Sequence, residues 1–200
     1  MMTITTIVMY VVAVASMLQL ASADWQFKSR TDLAPPRLNI TIPATHEVEE
    51  GYLFVTPFAG VSSTVSPSSR GPRQEGPYII RDDGELVWSG YTYYSIWAAN
   101  FQKARWNGQD ILFSFEGDHS PAYGHGHGHA TFLNQHYETV RELRAGNHKF
   151  MDKHEFHIIN EETGLIQVYQ PIPTDLSRYG DSPEQQWIVN AIIQGEQINH

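Results

Sequence analysis

From Tyr78 onward, short apolar runs alternate with tight-turn residues so regularly that antiparallel hairpins are the natural outcome. Tyr78–Ile80 and Glu85–Trp88 flank Asp82-Asp83-Gly84, and Asn100–Trp106 and Asp110–Phe115 flank Asn107-Gly108. Asn-Gly and Asp-Gly tolerate the positive φ angles of a two-residue turn, which makes them the strongest short-range hairpin signals. Ala130–Leu133 and Thr139–Leu143 flank Asn134-Gln135-His136, and Glu155–Ile159 and Leu165–Tyr169 flank Asn160–Gly164. Gly51–Phe58 is a further β-rich run, while Trp187–Ile193 fits either a strand or a short helix. No segment sustains apolar residues at helical spacing over three turns, so the chain reads as all-β.

Hairpins recurring every roughly 22–30 residues point to a sandwich, a barrel or a propeller. A propeller blade takes about 40–45 residues and closure at least four blades. Residues 76–200 supply about three blades by that measure, and Gln194–His200 breaks off without an evident partner strand. The expected architecture is therefore a partial β-propeller of antiparallel hairpins after an extended N-terminal arm. Its divisions are a leader at 1–23, then the arm, first strand and Ser/Gly/Pro-rich loop at 24–75, then an incomplete propeller at 76–200.

The leader rests on Ile7–Leu20, an almost wholly apolar run that ends in Ala21-Ser22-Ala23. Small residues at alternate positions suit signal peptidase, and the run is too short to span a bilayer. The expected product is secreted (extracellular), free of the membrane once the leader is cleaved, with Asn39-Ile40-Thr41 as its glycosylation acceptor. Without a single Cys among 200 residues, disulfides, thiolate metal sites and cysteine nucleophiles are excluded, and stability must come from an ordinary core. A net charge of −9 disfavours nucleic-acid partners. No phosphate-cradling glycine loop, GxSxG or HExxH occurs, so nucleotide use, α/β-hydrolase chemistry and zincin proteolysis lose support. Ten histidines remain as the main chemical resource.

The order of motifs resembles the fungal-type arylsulfotransferase family, secreted β-propeller proteins related to bacterial aryl-sulfate sulfotransferases. Ser29–Pro36, Gly51–Val55, Gly76–Ile80 running into Asp83–Gly90, Tyr123–Gly126, Asp152–Phe156 and Asp175–Gly180 carry the likeness. It spans about Phe27 to Gln194 and matches the N-terminal portion of a longer family member. The resemblance implies nucleotide-independent sulfuryl transfer from an aryl sulfate to a phenolic acceptor, with no cofactor. It also implies histidines in the central channel, one of them transiently sulfated, and an activity impaired where blades are lacking.

Carried onto this chain, the catalytic candidates are His154 and His125. His154 opens an expected strand, sharing a face with Phe156 while Glu155 points away, and Asp152 stands beside it. A hydrogen-bonded structural histidine is the alternative reading. His125, His127 and His129 alternate with glycines. If extended, they share one face at neighbouring steps of about 6.6–6.8 Å and can hold zinc or copper with His119 as a fourth ligand. The competing reading is a flexible Gly/His loop. Arg105 and Tyr123 are the substrate-binding candidates, and Tyr91, Tyr93, Tyr94, Trp97 and Trp106 suit either an aryl ligand or packing between blades. A non-catalytic secreted module binding an aromatic ligand or a metal through the His-rich segment is the alternative function.

Overall fold

A computed structural model describes residues 32, 33, 35, 38–57, 74–94, 97–120, 124–184 and 186–198. The leader, most of residues 24–37, much of the Ser/Gly/Pro-rich loop and Tyr123 lie outside the described residues. Among the described residues ten strands form three antiparallel sheets, each a meander whose neighbours in space are neighbours in sequence. The first sheet holds β1 (Tyr52–Val55), β2 (Tyr78–Arg81) and β3 (Leu86–Ser89). The second holds β4 (Trp97–Trp106), β5 (Gln109–Gly117), β6 (Gly128–Leu133) and β7 (Thr139–Leu143). The third holds β8 (Phe156–Ile159), β9 (Thr163–Pro173) and β10 (Trp187–Gln197). Among the described residues the only helical turn is Ser177–Tyr179, and no sheet closes into a barrel.

The turn chemistry acts as its residues require. Asn107 and Gly108 both take positive φ, 50° and 73°, so β4 returns directly as β5 with Trp106 opposite Gln109. Gly84, at φ 88°, closes the Asp82–Gly84 turn by donating its N–H to the Arg81 carbonyl. All four expected hairpins form, and the ambiguous 187–193 run resolves as a strand.

The middle sheet is covered on both faces, which its residue pattern permits. Ile111, Phe113 and Phe115 of β5 face the third sheet and join Phe132, Met151, Phe156, Ile166 and Val168 in the larger core cluster. On the other side Ala98, Phe101 and Leu133 meet Ile79 and Trp88 of the first sheet. Successive four- or three-stranded meanders stacked face on face are the arrangement expected of neighbouring propeller blades. One expectation fails: Gln194–Gln197 is not without a partner. It continues β10, opposite Ile166 to Thr163 of β9, and Ile198 beyond it is buried. Its alternate polar residues concealed the strand because β10 is exposed along much of one face.

Candidate functional site

The site lies where the loop between β5 and β6 meets the segment leading into β8. Asp118 and His127 pin the loop's two ends: the Asp118 N–H donates to the His127 carbonyl at 3.1 Å. The His127 N–H in turn donates to Asp118 Oδ1 at 2.6 Å. Ser120 N–H to the His125 carbonyl, 2.8 Å, adds a rung further out. Gly117 pairs with Gly128 across the strands. A Cβ on Gly128 would stand 2.1 Å from the Glu116 carbonyl and 2.7 Å from the Phe115 ring; on Gly117 it would also meet that ring at 2.7 Å, and on Gly126 at 3.2 Å. The glycines of the His-Gly alternation therefore seat the loop against Phe115, and the reading of this segment as an unordered Gly/His loop is corrected.

The Gly128 N–H donates to the Met151 carbonyl, and the Asp152 N–H to the Gln167 carbonyl of β9, at 3.0 and 2.8 Å. These two bonds clamp residues 151–152 between the second and third sheets. Asp152 is only 1% exposed. Its Oδ1 accepts the Gly126 N–H at 2.9 Å, and its Oδ2 accepts the His154 N–H at 2.9 Å and bonds the His154 ring at Nδ1. Burial alone would raise the Asp152 carboxyl, but the bonds from Gly126 and His154 outweigh it and hold it below its ordinary value of 3.8.

An ionised carboxylate can only accept, so Nδ1 of His154 carries the proton. Lys153 Nζ stands 3.0 Å from His154 Nε2. An ammonium can only donate, so Nε2 presents a lone pair. The two contacts together favour the Nδ1–H tautomer of His154, whose side chain is 44% exposed.

This geometry corrects the expected strand position. Residues 153–154 form a bend, β8 begins at Phe156, and the buried Phe156 and exposed His154 face apart. Hydrogen bonds that the His154 N–H and ring make to the Asp152 carboxylate override extension, the usual Asx-turn effect. Glu155 bonds His157 at 2.9 Å rather than His154.

His125 joins this centre. Its ring lies 4.1 Å from that of Tyr169 on β9 and 6.3 Å from that of His154. One donor atom each of His125, Asp152 and His154 falls within a common 4.8 Å. The His119 ring lies 5.1 Å from that of Trp97, tilted by 33°. Burial first, and then the positive charge of Lys153, lower its proton affinity below the ordinary 6.5. Lys153 and Tyr169 escaped the sequence reading; only the position of Lys153 between Asp152 and His154 offered a signal.

The other candidates go elsewhere. His127 stacks on Phe150 at 5.1 Å, and His129 approaches Glu116 and Glu142 at 3.6 and 4.0 Å. The three loop histidines therefore do not share one face, and the expected triplet site is not assembled. His125 leaves it for Asp152 and His154. Arg105 sits by the Asn107-Gly108 turn, paired with Glu161 at 3.1 Å and donating to the Gly108 carbonyl at 3.2 Å. Asp110 to Gly117 spans about 23 Å at the usual strand rise, so Arg105 is at the opposite end of the sheet from His154. Tyr123 falls outside the described residues, and Asn39 is exposed. Of the aromatic set, Tyr94 is buried and Trp106 packs edge-on to Phe132, while Tyr93 lies against Trp88. These act mainly as packing.

Comparison with known proteins gives one match. The sequence profile of the family described as arylsulfotransferase (ASST) fits residues 102–200. No curated protein and no solved structure matches the chain significantly. The matched stretch contains Asp152, Lys153, His154, His125 and Tyr169, and over residues 102–200 the chain belongs to the arylsulfotransferase family.

Proposed function

We propose that the protein is a secreted arylsulfotransferase that moves a sulfuryl group between phenolic compounds, with His154 as the intermediate carrier. One observation carries this reading: Asp152 and Lys153 together fix His154 with a proton on Nδ1 and a lone pair on Nε2. That is the state a nucleophilic imidazole needs.

In the first step Nε2 attacks the sulfur of an aryl sulfate. The S–N bond forms, the S–O bond breaks, and the phenolate leaves with its electron pair and takes up a proton. The sulfated ring is now cationic, and the Asp152 carboxylate stabilises it through Nδ1–H. In the second step an acceptor phenol attacks sulfur, gives up its proton and releases the imidazole, so no net proton is consumed. Lys153, which caps Nε2 in the resting site, can turn its ammonium onto the sulfate oxygens when the donor arrives. Tyr169 and Trp97 offer ring faces beside His125 and His119 for an aryl group.

The test uses the whole protein, expressed through a secretory host, with a chromogenic aryl sulfate as donor and a phenol as acceptor. His154→Ala is expected to cut transfer by at least about 100-fold. An aryl sulfate carrying isotopic sulfur should label the wild-type protein but not the variant, with ping-pong kinetics. Turnover that survives in His154→Ala rejects the assignment. Secretion is checked separately by the N-terminus of the mature chain, expected at Asp24.

A further inference from the structure

The donor atoms of His125, Asp152 and His154 lie closer together than the chemistry of His154 alone demands. From this geometry we infer that the three residues also bind one divalent transition-metal ion of the zinc class, and that a bound ion excludes sulfuryl transfer at His154. The exclusion rests on the function proposed above; the binding does not.

The donor set is two imidazoles and one carboxylate, the borderline ligands that zinc accepts with a fourth position left to water. Their atoms fall within 4.8 Å of one another. A tetrahedral zinc site at bond lengths of about 2.0–2.2 Å needs neighbouring ligands about 3.3 Å apart, so the widest pair must close by at most roughly 1.5 Å. His154 is exposed on a bend and can supply that movement, while Asp152 is clamped from both sides and fixes the site's position. His125 adds an independent sign: its Nδ1 is inaccessible to solvent and makes no hydrogen bond. A buried imidazole nitrogen without a partner is costly, and coordination is one way to satisfy it.

Exclusion follows from proton counting. A neutral imidazole has a single ring lone pair. If His154 gives it to the metal through Nε2, the nucleophile is occupied; if through Nδ1, the remaining proton moves to Nε2 and the nucleophile is equally lost. Lys153 opposes the ion in either case, since its ammonium stands 3.0 Å from Nε2. The same Lys153 favours a sulfate donor. Removing its charge therefore moves the two ligands in opposite directions.

The experiment titrates the full protein with zinc chloride against a chromophoric chelator, and repeats the titration with cobalt(II), followed by its visible absorption. One equivalent should bind. His125→Ala and His154→Ala should each weaken binding at least about tenfold, whereas His127→Ala should leave it unchanged and Lys153→Met should tighten it several-fold. His125→Gln, which keeps a side chain of similar length in the contact with Tyr169, guards against a variant that fails to fold. No binding at micromolar zinc, or binding that follows His127 and not His125, overturns the site. In the transfer assay zinc should inhibit, and less so in His125→Gln. Stoichiometric zinc with undiminished transfer overturns the exclusion. Zinc held by these residues in a protein that never transfers sulfate upholds the site and removes the proposed function instead.

Discussion

The imidazole of His125 and the phenol ring of Tyr169 lie 4.1 Å apart, their planes inclined by 33°. His125 comes from the loop leading into β6 and Tyr169 from β9, so this contact ties the second sheet to the third beside the reactive histidine. The Tyr169 hydroxyl accepts a hydrogen bond from Gln167 at 2.7 Å, which holds the ring in place. Tyr169→Phe loses that hydrogen bond but keeps the ring face and its contact with His125, so it should alter transfer little. Tyr169→Ala should raise KM for an aryl sulfate about tenfold, by removing both a ring face worth about 0.5–1.5 kcal/mol and the support of His125. Equal KM in wild type and Tyr169→Ala would show that the ring has no part in binding.

Asp152 fixes the tautomer of His154, so the consequence of neutralising it is specific. In Asp152→Asn the amide can present a donor to Nδ1 and turn the proton to Nε2. Transfer should fall by about 10²–10⁴, while zinc affinity also drops. The check is kcat in a folded variant with an unchanged far-UV spectrum; near-wild-type kcat would place the tautomer under other control.

Tyr94, His119 and Asp152 each contribute to the dependence of stability on pH. His119 is depressed below its ordinary 6.5, chiefly by burial and then by Lys153, and Asp152 is depressed below 3.8 by its hydrogen bonds despite burial. In both cases the unfolded chain takes up the proton first as pH falls. Stability should decline below about pH 6.5, and again as pH falls from 3.8 through the folded value of Asp152. Tyr94 is raised well above 10.0, by burial and then by the nearby Glu116 charge. Its contribution is full below pH 10 and is lost above it, as the unfolded phenol ionises first. Melting temperatures across the range should show both limbs. Asp152→Asn should flatten the lowest part of the acid limb, and Tyr94→Phe the alkaline one.

Gly128 has no room for a side chain, its missing Cβ falling 2.1 Å from the Glu116 carbonyl and 2.8 Å from Gly117 Cα. Backbone cannot yield as a side-chain tip can. Gly128→Ala should destabilise the fold by about 1–3 kcal/mol or more, and should displace His125 and so weaken transfer as well. Gly108→Ala is the contrasting case. Its Cβ would meet nothing within 4 Å, and only its φ of 73° opposes the change, so it should cost about 1 kcal/mol with transfer intact. Thermal melts of the two variants check the order.

The large core of the second and third sheets makes its own prediction. Phe156 is 1% exposed and packs edge-on to Phe113 at 4.9 Å, with Phe132 at 5.8 Å. Phe156→Ala should cost about 3–5 kcal/mol and free the segment that carries His154. Chemical denaturation would reveal a smaller loss if the cavity collapses.

The hairpins were legible because their determinants are local. Asn107-Gly108 and Asp82-Asp83-Gly84 encode a backbone reversal within two or three residues, and the apolar runs beside them can only pair. His154 was legible from its neighbours, but its tautomer was not, since that depends on where Asp152 and Lys153 actually point. β10 was obscured beyond Ile193 because its exposed residues carry no apolar period, and only its pairing with β9 extends it.

What the sequence alone determined, then, is what lies within a turn of the chain: strands, reversals, the absence of thiol chemistry and a histidine beside an aspartate. Tertiary structure decided which histidines meet. The alternation of His125, His127 and His129 looks like one ligand set, yet Phe115 packs against the intervening glycines and the strand begins only at Gly128, so each ring finds a different neighbour. His125 is brought to Asp152 by the hydrogen bond that its neighbour Gly126 donates across 26 residues of sequence, and by a ring contact with Tyr169. Contacts of that range are set by how one sheet packs on the next, and no local pattern records them.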